Sequence, residues 1–149
     1  MLVISSKIFY MKNKLTILLF SSLFLFSCKK EAGTNELNLA YQMISEKIWY
    51  LSYSQTITAT KTTEKNYVGQ ATYFIKFLKD YSTIDSDGLK GVYNIEKNNG
   101  VLQIHVNAKT QGQNTIEYVY DVESLGASNM ILYSTVGGVT NKFYYNTNH

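Results

Sequence analysis

Residues 91–106, GVYNIEKNNGVLQIHV, decide the fold of this chain. Apolar and polar residues alternate on both sides of Asn98-Asn99-Gly100, with apolar positions at Tyr93, Ile95, Leu102, Ile104 and Val106. Alternation with a period of two predicts half-buried β-strands, and Asn-Gly is the favoured pair for a tight hairpin turn. The stretch therefore predicts an antiparallel hairpin with one apolar face.

The same alternation recurs on both sides of this hairpin, with β-branched and aromatic residues on one face. The apolar positions are Trp49, Leu51 and Tyr53; Ala71, Tyr73, Ile75 and Phe77; Ile116, Tyr118, Tyr120 and Val122; Met130 and Leu132; Phe143 and Tyr145. Turn residues and one longer polar loop, residues 107–114, separate the runs. We expect an all-β, antiparallel up-and-down meander of seven or eight strands. A closed barrel is favoured over a sandwich because closure removes exposed strand edges.

One short helix is expected before the first strand, within residues 36–47. Its apolar positions recur at spacings of three and four: Leu37, Ala40, Tyr41, Ile44 and Ile48. Thr34 and Asn35 are candidate N-caps. The apolar stripe predicts that the helix packs against the barrel.

The N-terminus has the pattern of a secretory signal. Lys12 and Lys14 precede an apolar run at residues 15–26, which would cover about 18 Å as a helix, against ~30 Å for a bilayer core. The run is therefore too short to span a membrane but long enough for a signal peptide; a buried core helix is the alternative. Met11 begins a complete signal, so we expect it to be the true start. A longer n-region that includes Lys7 is the alternative.

Leu25-Phe26-Ser27-Cys28 resembles the lipobox of bacterial lipoproteins. The resemblance implies that Cys28 is lipidated and becomes the first mature residue. Two or three acyl chains, at ~0.8 kcal/mol per buried methylene, give a stable membrane anchor. The expected organisation is a signal peptide at residues 1–27, a lipidated tether at 28–35 and a barrel domain at 36–149. Lys29 differs from the aspartate that retains lipoproteins at the inner membrane of enteric bacteria, which favours the outer membrane and leaves its face open.

Charge and cysteine content exclude several classes of function. The formal charge is +3 and all 14 basic residues are lysine, but from Cys28 onward the eleven lysines are balanced by 11 acids. A basic surface for nucleic acid is therefore not expected. Cys28 is the sole cysteine. A mature chain with this thiol lipidated has no disulfide, no thiolate metal site and no cysteine nucleophile.

Histidines and carboxylates do not suggest catalysis. His105 alternates with apolar residues and is expected on the outer face, and His149 is isolated in sequence. Glu117, Asp121 and Glu123 share the polar face of one strand, where nothing desolvates one of them to raise its pKa. No enzymatic activity, metal or cofactor is expected.

A short acidic segment, Asp85-Ser86-Asp87-Gly88, resembles the opening of a calcium-binding loop, with Glu96 at position 12. The sixth position of that loop, which requires glycine, holds Lys90. The segment is therefore predicted to be a turn.

Tyrosine is unusually frequent, with 13 in the chain. Tyr73, Tyr93, Tyr118 and Tyr120 fall on positions predicted to face inward, and each buried hydroxyl needs a hydrogen-bond partner. Either the interior is partly wet or holds a ligand, or the hydroxyls reach the barrel mouths. With Trp49, these four tyrosines are the candidate ligand-binding residues.

The order of the motifs resembles that of small lipocalin-like lipoproteins of Gram-negative bacteria, over residues 44–146. The matching segments are Ile48-Trp49-Tyr50-Leu51, residues 74–77, Asp87-Gly88, residues 91–95, 102–104, 118–122, 130–132 and 143–145. The resemblance implies a lipocalin-like barrel. Lys47 stands where the lipocalin signature has glycine, and arginine is absent from the chain, so retinoid or haem binding is not implied.

Two functions are expected from these observations. The first is a lipid-anchored, non-enzymatic barrel at the outer membrane that binds a small apolar or amphipathic molecule. The alternative is a protein-interaction or accessory subunit of an outer-membrane or cell-surface assembly. A deep cavity lined by Tyr118 and Tyr120 would favour the first, and an exposed aromatic patch outside the barrel the second.

Overall fold

The computed structural model describes residues 32–109 and 114–149. The predicted signal peptide and Cys28 lie outside the described residues. Residues Leu37–His149 form one compact unit. The elements of the described residues are α1 (Ala32–Ile44), β1 (Ile48–Ile57), β2 (Thr62–Asn66), β3 (Phe74–Phe77), β4 (Ser82–Asp85), β5 (Lys90–Asn98), β6 (Val101–Lys109), β7 (Thr115–Leu125), β8 (Asn129–Val136) and β9 (Val139–Asn146).

Eight of the nine described strands form a closed antiparallel ring. From β3 to β9 each strand pairs with the next, and β1 closes the ring by pairing with both β3 and β9. The ninth strand, β2, shares one edge of β1 with β3: residues 48–50 pair with β3, and residues 53–57 pair with β2. The predicted fold class, an all-β up-and-down barrel with one short helix, is confirmed, and the sandwich alternative is wrong.

The hairpin between β5 and β6 forms as its sequence predicts. Asn98 pairs with Val101 across the turn, and the two residues between them have positive φ angles, 50° at Asn99 and 85° at Gly100. Positive φ at both central positions is the requirement of a type I′ turn, which asparagine and glycine satisfy with little strain.

Part of the buried core lies where the end of α1 meets the start of β1. Ile44, Trp49 and Phe77 are fully buried together. The Trp49 indole N–H donates a hydrogen bond of 2.9 Å to the carbonyl oxygen of Ile44, which belongs to the last turn of α1. This bond satisfies a helix-terminal carbonyl that burial would otherwise leave without a partner.

Several details of the sequence prediction are wrong. The helix begins at Ala32, so Thr34 and Asn35 lie inside it and are not N-caps. β2 was not predicted because its sequence, TTEKN, has no apolar alternation and all its residues are exposed. Tyr53 was expected on the face of Trp49, but a bulge between Leu51 and Tyr53 changes the register, and Tyr53 pairs with Tyr144.

Candidate ligand-binding site

The barrel wall opens between β7 and β8. Their pairing extends from Leu125 opposite Met130 to Asp121 opposite Tyr133. Beyond that point, among the described residues, 115–120 of β7 pair with β6 alone and 134–136 of β8 pair with β9 alone. A bulge between Val122 and Ser124 precedes the separation. Because bulges bend a strand and increase its twist, this one accounts for the divergence of β7 from β8.

The separation produces a cavity of about 550 Å³, here called the opening. Its aromatic lining residues are Tyr118, Tyr120 and Phe143. Its polar lining includes Glu117 and Asp121 on β7 and Ser134 and Asn141 on the opposite side. The opening therefore combines an apolar wall with a polar rim.

A second cavity, here called the chamber, adjoins the opening and has a volume of about 210 Å³. The two cavities share Tyr118 and Tyr120. The remaining chamber residues are apolar except for two on β4, and they are Ile75, Leu89, Val106, Ala108, Thr83 and Asp85.

Strand register places both shared tyrosines on the interior face of β7. Tyr118 is opposite Val106 and Tyr120 is opposite Ile104, and both of these partners are buried in the core. The two tyrosine rings are nearly parallel, with centroids 6.3 Å apart, and Phe143 meets the Tyr120 ring edge-on at 6.0 Å. Together the rings form an aromatic wall.

Tyr120 is partly buried, and its hydroxyl makes no hydrogen bond with the described residues. Burial, reinforced by the nearby Tyr118 and Asp85, raises the pKa of Tyr120 to about 12. Burial together with Tyr120 and Asp85 also raises the pKa of Tyr145. These phenols are therefore neutral at physiological pH, and Tyr120 offers an unused hydroxyl at the cavities.

Asp85 adds a carboxylate to the chamber. Its Oδ1 accepts hydrogen bonds from the backbone N–H groups of Asp87 (3.0 Å) and Leu89 (2.9 Å), which orders the turn after β4. The same residue pairs with Ile75, a core-facing position of β3, so its side chain lies on the interior face. The sequence analysis treated Asp85 only as a turn residue and missed this position. Its spacing of two from Thr83, which is also interior, was the available signal.

The interpretation of Asp85-Ser86-Asp87-Gly88 as a turn is confirmed. The Gly88 N–H donates to the Asp85 carbonyl oxygen at 3.0 Å, and Gly88 has a φ of 75°. Glu96 lies on β5, where its Oε1 is 3.2 Å from Nε2 of His105. Within residues 32–109 and 114–149, no three histidine, cysteine or acidic side chains are placed to hold a metal ion.

Three of the candidate ligand-binding residues lie away from the cavities. Trp49 is fully buried beside α1, and Tyr93 is 3% exposed with its hydroxyl donating to the Leu78 carbonyl oxygen at 3.0 Å. Tyr73 was predicted to face inward, and this is wrong: it precedes β3, is 44% exposed and packs against the Tyr67 ring at 4.8 Å. The structure thus brings Tyr118 and Tyr120 together and separates the other three from them.

His105 lies opposite Val119 on the outer face, as its alternation predicts, but between two carboxylates. Its Nδ1 is 3.3 Å from Oε1 of Glu117 and its Nε2 is 3.2 Å from Oε1 of Glu96. The imidazole makes a hydrogen bond through Nδ1 to Glu117, which also lines the opening, whereas Nε2 is buried and makes no hydrogen bond with the described residues.

Comparisons with known proteins find similarity to a solved structure but no matching family. No protein-family model matches the chain, and a search of curated proteins gives no match. Among solved structures, the chain is similar to one from Bacteroides uniformis ATCC 8492. That structure is a lipocalin-like protein. The two are 17% identical, the alignment covers 70% of this chain and 98% of the other, and the TM-score is 0.46. The strand pairing described above, rather than this similarity, establishes the barrel.

A search for membrane-crossing helices gives a negative result for residues 32–109 and 114–149: none there has both the length and the apolar character that a bilayer requires.

Proposed function

We propose that this barrel binds a small amphipathic molecule in the opening between β7 and β8 and in the adjoining chamber. The observation that carries the proposal is the divergence of these two strands, which gives the opening access to the interior face of Tyr118 and Tyr120. Small-molecule sites are concave and largely apolar, with a few polar groups that fix orientation. The aromatic wall and the polar groups of Asp85 and Tyr120 fit that description.

The combined cavities suit a ligand that has one apolar end and one polar end. The apolar end would lie against the aromatic wall, and the polar end would meet Asp85 or the hydroxyl of Tyr120. A purely hydrocarbon ligand would leave the Tyr120 hydroxyl without a partner, which is unfavourable in a desolvated site. An amphipathic ligand satisfies both requirements.

Sequence motifs support a membrane location for this binding function. We propose that the chain is lipidated at Cys28 and anchored at the outer membrane, with the signal peptide removed and the barrel acting without enzymatic activity. Replacement Cys28→Ser in the expressed chain would remove the acylated thiol. We expect the variant to lose incorporation of radiolabelled fatty acid and to leave the membrane fraction; retention of both would contradict the lipidation proposal.

Ligand binding can be tested with N-phenyl-1-naphthylamine, a neutral probe whose fluorescence rises in apolar surroundings. We expect the full chain to enhance its emission. Ala108→Leu would fill part of the chamber and weaken probe binding about tenfold, because Ala108 is buried in the chamber wall. Ala71→Leu adds the same atoms at an exposed position and serves as the matched control. Equal binding by both variants would contradict this site.

An accessory role in a larger assembly is favoured by a different surface. Val68 and Tyr73, which follow β2, are 72% and 44% exposed, and the outer edge of β2 pairs with no described strand. An unpaired edge beside apolar side chains is suited to strand addition by a partner. A photo-crosslinking amino acid at position 73 would yield a discrete adduct in the envelope if this role holds, and none if the surface is free.

A further inference from the structure

The distribution of charge around the cavities restricts the chemical class of the ligand. Asp85 lines the chamber, and Glu117 and Asp121 line the opening. None of the described lining residues is a lysine. No lysine in these walls therefore balances the carboxylates; Glu117 lies 3.3 Å from Nδ1 of His105, and Asp121 accepts a hydrogen bond from the Gln103 amide.

Asp85 in particular has no cationic partner among the described residues. One of its oxygens, Oδ1, is occupied by two backbone N–H groups, and Oδ2 receives no hydrogen bond from the described residues. The two N–H donors fix the orientation of the Asp85 carboxylate. The carboxylate is thus held on the interior face of the barrel beside the aromatic wall.

The aromatic wall complements the same kind of ligand. The π faces of tyrosine rings attract cations, by about 0.5–2 kcal/mol according to how far the pair is desolvated. Tyr118 and Tyr120 present nearly parallel rings at the chamber. A carboxylate together with aromatic faces is the chemistry that recognises an organic ammonium group.

We infer that the chamber selects a small amphipathic cation, an amine or quaternary ammonium compound, over anions of similar size. The ammonium group lies between Asp85 and the rings of Tyr118 and Tyr120, and the apolar part extends along Phe143 into the opening. This inference rests on the proposed binding function and adds the charge of the ligand to it. A fatty acid or other amphipathic anion is disfavoured, because its charge would approach that of Asp85 in a partly desolvated site.

Three probes with a common ring test the inference: benzyltrimethylammonium, benzyl alcohol and benzenesulfonate. Each is titrated into the full chain at low salt, with binding followed by the chemical shifts of the Tyr118 and Tyr120 amides and by displacement of N-phenyl-1-naphthylamine. We expect the cation to bind about tenfold more tightly than the alcohol, and the anion to bind more weakly than the alcohol.

Asp85→Asn is the decisive variant, because its side-chain oxygen can still accept the two backbone hydrogen bonds of the turn. We expect this variant to bind benzyl alcohol as the wild type does and to lose most of its preference for benzyltrimethylammonium. Asp87→Asn removes one charge from the same turn at an exposed position and is the matched control, with the preference unchanged.

The possible outcomes separate the two proposals. Binding of the alcohol with no preference for the cation, or a preference that survives in Asp85→Asn, would overturn the inference and leave the binding function standing. Failure of all three probes and of the naphthylamine to bind would overturn both.

Discussion

Trp49 and Tyr120 both carry a polar atom on an interior aromatic ring, but of the two only the tryptophan bonds it to a described residue. The Trp49 N–H donates to the Ile44 carbonyl oxygen at 2.9 Å and connects β1 to the end of α1. The Tyr120 hydroxyl has no such bond among the described residues. Buried polar groups in folded proteins are generally paired. The tryptophan is thus part of the structural core, whereas the tyrosine is available to a ligand.

The substitution Trp49→Phe tests the structural role of the indole ring and its hydrogen bond. The phenyl ring fills less volume and leaves the Ile44 carbonyl oxygen without its donor, so we expect a loss of about 1–3 kcal/mol in the free energy of unfolding. Urea denaturation followed by far-UV circular dichroism measures the loss. Tyr50→Phe, at the next position of β1 and half-buried, is the control, expected to change stability by less than about 0.5 kcal/mol. Equal losses in both variants would contradict the role of the indole.

Tyr120 also affects stability at alkaline pH. Its pKa is raised from 10.0 to about 12, so above pH 10 the unfolded chain releases this proton more readily than the folded one. The contribution is fully present below pH 10 and is lost as pH rises to about 12, at a slope of up to ~1.4 kcal/mol per pH unit. We expect Tyr120→Phe to lose less stability than the wild type between pH 9 and 11. Parallel losses in the two proteins would refute this assignment.

At the scale of elements, β7 changes its partner along its length. Asp121 pairs with both β6 and β8, the residues after it pair with β8, and residues 115–120 have β6 as their sole partner among the described strands. In an antiparallel strand, successive N–H groups point to opposite neighbours. Alternate amides at the start of β7 therefore point across the opening.

Amide hydrogen exchange measured by NMR can detect this difference. We expect alternate amides of residues 115–120 to exchange rapidly, and those bonded to β6 to be protected. The amides of the consecutive residues Ile104 and His105, in the middle of β6, should both be protected, because β6 has neighbours on both sides. Uniform protection of residues 115–120 would show that β7 and β8 are fully paired in solution.

Gly91 lies where β5 and β6 approach each other closely. A Cβ added there would lie 2.6 Å from the Asn107 carbonyl oxygen and 3.0 Å from the Ala108 Cα, both of which are backbone atoms. We expect Gly91→Ala to lower the free energy of unfolding by about 1–3 kcal/mol, because β5 and β6 must move apart. Gly33→Ala in α1, with no atom within 4 Å of the new Cβ, is the control and should not destabilise. Thermal or urea denaturation measures both.

The alternation of apolar residues was sufficient to predict most strands and their connection order, because each inward position contributes to one buried core. It could not predict where two neighbouring strands separate, since Tyr118 and Tyr120 alternate in the same way on the separated part of β7 as Val122 does on the paired part. It also missed the interior position of Asp85. The turn that follows β4 is enough to explain an aspartate there, so nothing in the sequence indicates a second role. The opening depends on how β7 and β8 pair beyond the bulge in β7. The alternation within either strand carries no information about that pairing.

At the scale of the whole molecule, β1 and β9 hold the ring closed. They pair from Tyr50 opposite Asn146 to Ile57 opposite Thr140, and β9 also pairs with β8 along its whole length. Removing β9 would leave both β1 and β8 with an unpaired edge and expose the core residues beneath Tyr145. Closure is therefore a cooperative property of the barrel.

A chain that lacks residues 140–149 tests this dependence. We expect it to show no cooperative urea transition and to aggregate, because no remaining strand can pair with the exposed edges of β1 and β8 or cover the exposed core. Removal of residues 148–149 alone would lose the contact of His149 with the Tyr50 ring but should leave the cooperative transition intact. A cooperative transition in the longer deletion would show that the remaining strands fold without closure.

The pairing of β1 with β9 also determines which contacts form late during folding. Tyr50 and Asn146 are neighbours across β1 and β9, yet 95 residues of chain lie between them. Local hairpins such as that at Asn99-Gly100 can form within microseconds, whereas a contact of such long sequence separation belongs to the slow, millisecond-to-second folding of β-rich chains. During that interval β1 is an open edge. A chain exported across a membrane before it folds would spend this period exposed to other unfolded chains, so its yield should depend on protection by a chaperone until β9 arrives.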